Sequence, residues 1–135
     1  MIKVLLDTNI CIYLIKQRPS GVREHFEKHR AGEIGISTIT VAELQYGVEK
    51  STARERNAQA LEAFLLPLEI LPFDMLSAQA YGQIRADLER RGEPIGSMDM
   101  LIAAQALAHQ YTLVTHNLRE FKRVTGLSCE SWVSE

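Results

Sequence analysis

No run of apolar residues in this 135-residue chain approaches the roughly 18 to 20 that a membrane helix requires, so no membrane span is expected. The opening Met1-Ile2-Lys3 leads at once into a strand-like segment. It lacks the apolar stretch and small-residue cleavage site of a secretion signal, and the cytoplasm is the expected location. The two cysteines, Cys11 and Cys129, have no CxxC spacing and read as free thiols of a reducing compartment. Of the four histidines only His25 and His29 have HxxxH spacing. They lie in the charged segment "REHFEKHR" and are expected to face solvent, so zinc chemistry has little support. No GxSxG elbow occurs, which removes the common serine-hydrolase pattern. Repeats, low-complexity tracts and linkers are absent from the sequence. A net charge of −2 gives no basic signature for nucleic acid. With four acids gathered in one site, however, the other 13 would face 15 lysines and arginines, and a basic rim around an acidic hole is permitted.

What is present suffices for one domain with its own core: 46% of residues are hydrophobic. Short β-like runs at 2–6 ("IKVLL"), 33–37 ("EIGIS"), 68–73 ("LEILPF") and 111–115 ("YTLVT") alternate with longer amphipathic stretches. Ala80, Tyr81, Ile84 and Leu88 recur at helical spacing, with Asp87 and Arg91 as an i,i+4 pair and Gly92 and Pro94 closing the helix. A second helix is expected over "ARERNAQALEAFLLP", with Leu61, Phe64 and Leu65 inward and Pro67 as its stop. Residues 98–110 ("MDMLIAAQALAHQ") are apolar almost all round and are expected between layers. Such alternation predicts an α/β fold with a mostly parallel sheet covered on both faces, and ligands in such sheets bind beyond the carboxyl ends of the strands.

Four polar groups punctuate those ends: Asp7 after the first strand, Glu43 in "TITVAELQYG" after the second, Asp99 opening the buried helix in "GSMDM", and Asn117 with Glu120 in "THNLREF" after the last. Each has a plain structural reading. Asp7 or Thr8 caps a helix at 10–16. Thr40 to Glu43 forms a capping box. Asp99 sits where the helix dipole favours an acid, and Asn117 caps a short helix. Against these stands the cost of burying charge. Asp99 shares its helical face with Ile102, Ala103 and Ala106, and a lone buried carboxylate costs several kcal/mol, of which a helix terminus offsets only about 0.3 to 2. Glu43 has Gly47 one turn on, about 1 kcal/mol worse than Ala in a helix interior, which fits either a close approach or plain helix packing. Two unit charges about 4 Å apart at an effective dielectric near 20 repel by about 4 kcal/mol, so converging acids need a cation, and hard oxygen ligands select Mg²⁺ or Mn²⁺. An acidic site holding such an ion suits phosphodiester hydrolysis with water as nucleophile, leaving a 5′-phosphate and a 3′-hydroxyl.

The segments "LLDTN", "TVAELQYG", "IGSMDMLIAAQALA" and "LVTHNLREF" together resemble the PIN-domain ribonucleases, specifically the VapC toxins of type II toxin–antitoxin pairs, from Ile2 to Trp132. The resemblance implies a three-layer α/β/α fold on a central five-stranded parallel sheet. It also implies Mg²⁺-dependent cleavage of structured RNA such as tRNA or rRNA, inhibition by a cognate VapB antitoxin, and a homodimer. By motif, Asp7, Glu43 and Asp99 correspond to the metal-binding acids, with Thr8, Asn9, Ser37 and Thr115 as polar support. The fourth family position, often Asp, is Asn117 here. That lowers the charge by one, and Glu120 on the same helical face restores it. Arg119, Lys122 and Arg123 are the expected holders of RNA phosphates, while Arg85, Arg90 and Arg91 suit a solvated helix face. A rival reading is a binding module whose acidic pocket receives a basic peptide. A receiver-type phosphoacceptor also places acids at strand ends, but it wants paired acids after strand one and a late lysine, and "LLDTN" and "LVTHN" supply neither.

Overall fold

The computed structural model describes residues 1–133. Five strands, β1 (Val4–Leu6), β2 (Ile34–Ser37), β3 (Glu69–Leu71), β4 (Thr112–Val114) and β5 (Cys129–Glu130), form one parallel sheet in the order β3-β2-β1-β4-β5. The helices are α1 (Thr8–Lys16), α2 (Ser20–Glu27), α3 (Thr38–Glu49), α4 (Arg54–Leu65), α5 (Met75–Arg90), α6 (Ser97–His109) and α7 (Leu118–Phe121), and a 3₁₀ turn over Ala31–Glu33 leads into β2. The four runs with strand character became strands, and the expected helices formed. None of the described helices is long and apolar enough to cross a membrane.

Alternation along the strands sorts the core into two layers. Val4, Leu6, Ile34, Ile36 and Val114 pack with Ile10, Leu14, Leu44 and Leu61 of α1, α3 and α4. Leu5 and Leu113 turn the other way, onto Ile84 and Leu88 of α5, Ile102, Ala103 and Ala106 of α6, and Phe121 of α7. The fold is therefore the expected three-layer α/β/α sandwich. Gly35 of β2 leaves room for an edge side chain: a Cβ there would stand 2.5 Å from Leu71 Cδ1.

Three local expectations are revised. Helix α3 starts at Thr38 with Ser37 as its cap, so Thr40 lies inside the helix and no capping box ties it to Glu43. His25 and His29 do not simply face solvent. Their rings lie nearly parallel to the indole of buried Trp132, with centroids 5.9 and 5.4 Å away, because the returning C-terminal segment is laid against α2. And β3, read as an ordinary strand, is an edge with Ile70 45% exposed.

Candidate active site

Strand order reverses at β1. The chain winds outward through β2 and β3, then returns to lay β4 on the other side of β1. The crevice beyond the carboxyl ends of β1 and β4 is thus the topological switch point, where parallel α/β sheets bind ligands. Leu6 pairs with Val114, which sets Asp7 beside Thr115, the first residues past the two strands. Asp7 is 4% exposed, and Thr115 is fully buried.

Asp7 does two things at once. Its Oδ1 accepts the backbone N–H of Ile10 at 2.9 Å and so caps α1. Burial nonetheless pushes its carboxyl above the usual aspartate value, against the Thr115 hydroxyl and the Ile10 N–H, and the Glu43 charge adds to the rise. Glu43 reaches the same hollow from α3: the Thr8 hydroxyl donates to its Oε1 at 2.6 Å and lies 3.4 Å from the hydroxyl of buried Thr40. Asp99 comes from the first turn of α6, whose N-cap is Gly96. Its carboxyl is raised from 3.8 to about 6, first by burial and then by the charges of Asp7, Glu43 and Glu120. Four acids remote in sequence therefore feel one another across a single hollow.

Among the described residues, no three His, Cys, Asp or Glu side chains stand close enough to enclose an ion as they are placed. The carboxylates share a field without closing a coordination shell. The donors are hard oxygens of excess negative charge, a set that suits a hard divalent cation; burial first, and then the neighbouring acids, make the Asp99 charge costly.

The supporting residues divide. Thr8 and Thr115 touch the acids. Ser37 is fully buried and accepts from Ile39 N at 3.0 Å, so it holds the start of α3 rather than an acid. Asn9 is exposed on the first turn of α1. Asn117 occupies the N-cap position of α7 without a side-chain cap, and its backbone N–H donates to Thr115 Oγ1 at 2.9 Å. Thr40 is the residue that sequence reasoning missed as a neighbour of the acids; its signal, a Thr three before Glu43, reads equally well as a cap.

Arg119 and Lys122 are exposed on and after α7. Arg123 is half-buried and spends Nη1 on the Pro94 carbonyl at 2.9 Å, while its own carbonyl accepts from Arg91 Nη2. Arg91 in turn pairs with Asp87 at 2.9 Å. This chain of contacts fastens α7, which carries Glu120, to the loop that delivers Asp99. Arg123→Met is expected to cost about 1 kcal/mol of stability, one exchanged hydrogen bond, read by urea denaturation. The 2.9 Å Arg91–Asp87 pair should remain intact in that variant.

A groove of about 450 Å³ opens between α1, α3 and α4 with Glu43 in its lining. Ile12, Ile15, Leu44, Val48 and Leu61 line it too, with Lys16 and Lys50. Gly47 lies along it, and a Cβ there would meet nothing within 4 Å. Close packing within the chain does not explain that glycine.

Residues 4–127 match the PIN domain family. The tRNA(fMet)-specific endonuclease VapC of Shigella flexneri is 46% identical over 132 residues, covering 98% of this chain and 99% of that protein. Ribonuclease VapC of Haemophilus influenzae (strain 86-028NP) is 47% identical over 133 residues, covering 98% of this chain and all of its own length. The crystal structure of DNA-bound VapBC from Salmonella typhimurium contains a chain that superposes with a TM-score of 0.94 at 46% identity, covering 98% of this chain and 100% of that chain. With the acids set at the switch point of a five-stranded parallel sheet, and likeness along nearly the whole length, the chain belongs to the PIN-domain family and, within it, to the VapC nucleases.

Proposed function

We propose that the chain, acting as a single domain over residues 1–135, is the toxin of a type II toxin–antitoxin pair: a Mg²⁺-dependent endoribonuclease of the cytoplasm, in which Mn²⁺ substitutes. Its substrate is structured RNA, with tRNA favoured over rRNA by the tRNA(fMet) specificity in the name of a 46% identical relative. PIN-domain nucleases generally depend on a divalent metal. The observation that carries the reading is the mutual charge of Asp7, Glu43, Asp99 and Glu120 at the end of β1.

Asp7 and Asp99 are the groups that would hold the ion, with Glu43 and Glu120 completing the negative field around it. A bound divalent cation lowers the pKa of a water and offsets charge on the phosphoryl oxygens. The protein does the rest. Thr8 holds the Glu43 carboxylate facing the hollow, and Thr115 holds Asp7. Asn117 offers a neutral amide to a phosphate oxygen, where an acid would repel it. Arg119 and Lys122 draw the RNA backbone to the rim, which makes affinity fall with salt. The proposed test is purified protein treated with chelator, then given Mg²⁺ or Mn²⁺ and bulk tRNA. Cleavage that vanishes with chelator and returns with either ion, leaving 5′-phosphate ends, supports the reading. Binding without turnover in either ion supports the rival peptide-binding module instead.

The groove between α1, α3 and α4 supports a VapB-type antitoxin as partner. An apolar helix fits the Ile12, Ile15, Leu44, Val48 wall, and a basic side chain from it would meet Glu43. VapBC pairs are what several of the structural relatives are. A homodimer is supported by a second apolar surface. Leu66 and Ile70 line one groove beside the β3 edge, Leu66 is 84% exposed, and Met75 and Leu76 are exposed at the start of α5.

A further inference from the structure

Three of the four histidines are accounted for by the fold. His25 and His29 lie against Trp132, and His109 bonds Asp74 at 2.7 Å while stacking on Tyr111. His116 is different. It lies on the short connection from β4 to α7, between fully buried Thr115 and Asn117, and its side chain is exposed. It follows Thr115, which lies beside Asp7 past the paired ends of β4 and β1, so the chain brings it to the edge of the acidic crevice. Half-buried Tyr13 of α1 stands against it, its ring edge-on to the imidazole with centroids 6.1 Å apart and planes at 68°. The edge-to-face contact orients the imidazole, and the exposure of His116 leaves it accessible from solvent.

We propose that His116, braced by Tyr13, is a stacking platform for the nucleobase next to the scissile phosphate, so that the substrate must present an unstacked base there, in a loop or single-stranded stretch. This rests on the nuclease reading and narrows its substrate class. A base paired in an A-form helix offers no free face, whereas a splayed loop base stacks on His, Phe, Tyr or Trp. Exposed Arg119 lies three residues beyond His116, where it can take the backbone of the same nucleotides.

The test uses stem-loop RNAs with 2-aminopurine placed at each loop position in turn. Binding is followed with Asp7→Asn protein, which keeps the RNA uncut, and cleavage with the otherwise native chain. Quenching at one loop position is expected on binding. His116→Ala should abolish that quenching and weaken binding about tenfold, the usual loss of one base–aromatic stack. In the cleaving protein the loss should fall on KM and leave kcat within about twofold, because stacking is ground-state binding. His116→Phe should restore both readouts, which neither a charge nor a proton-transfer role would allow. Tyr13→Leu should cause a smaller loss in the same direction. Unchanged affinity and quenching in His116→Ala, or failure of His116→Phe to rescue, overturns the platform. A native chain that binds these RNAs but cuts none of them in Mg²⁺ or Mn²⁺ overturns the nuclease reading instead, and the quenching arm still decides the platform.

Discussion

Asp7→Asn is expected to lower metal-dependent RNA cleavage by about a thousandfold or more while leaving the fold intact. The size follows from what is removed: a contribution of several kcal/mol from the ion, with each 1.36 kcal/mol a factor of ten. The fold should survive because the cap survives. Asp7 Oδ1 accepts from Ile10 N, and Asn caps helices about as well as Asp. The buried carboxylate is also the costly part of the residue, since burial raises its pKa. Asn keeps the acceptor and drops the charge. Asp7→Ala separates the two roles, because it loses the ion site and the cap together and should cost about 1 kcal/mol of stability besides. Cleavage of tRNA and thermal melting, measured on both variants, check this. Asp7→Asn protein that cuts at the native rate refutes the metal-site assignment.

The sequence makes Asp7 and Asp99 conspicuous because each stands where an apolar pattern breaks, and a charge at such a break needs a partner. Glu43 is less legible. Its helix begins three residues earlier than the capping-box pattern suggests, since Ser37 rather than Thr40 takes the cap, and only the fold shows Thr8 donating to it. Strand β5 escapes sequence reading for a physical reason. It has two residues, Cys129–Glu130, and is a strand only because β4 offers it a ladder. No periodicity can show in two residues. The Trp132 contact with α2 is equally hidden, since a histidine's surroundings at i and i+4 depend on where the chain's end returns. Arg123 illustrates the limit for surface charge. A basic run in sequence does not say which guanidinium will be spent on a carbonyl of the neighbouring loop.

The burial and mutual repulsion that call for a cation should be visible as instability without one, and Asp99 is the place to read it. Its folded pKa of about 6 lies above the ordinary 3.8, so between those values the folded protein holds a proton that the unfolded chain has released. Stability must then fall as pH rises from about 4 through 6 and stay low above that. Asp7, also raised, pulls the same way. With cations chelated, the melting temperature is therefore expected to climb as the buffer is taken from pH 7.5 to pH 5. Asp99→Asn should remove most of this slope. At pH 7.5 it should melt higher than the native chain by roughly 3 °C, about 1 kcal/mol once screening at this half-exposed group is allowed for. It should also lose the stabilisation that Mn²⁺ gives the native chain by mass action, and with it RNA cleavage. Metal-free native protein whose melting temperature falls on acidification from pH 7.5 to pH 5, or an Asp99→Asn variant that melts lower than native at pH 7.5, would show that neither burial nor crowding makes these charges costly, and the crevice would then have no need of a cation.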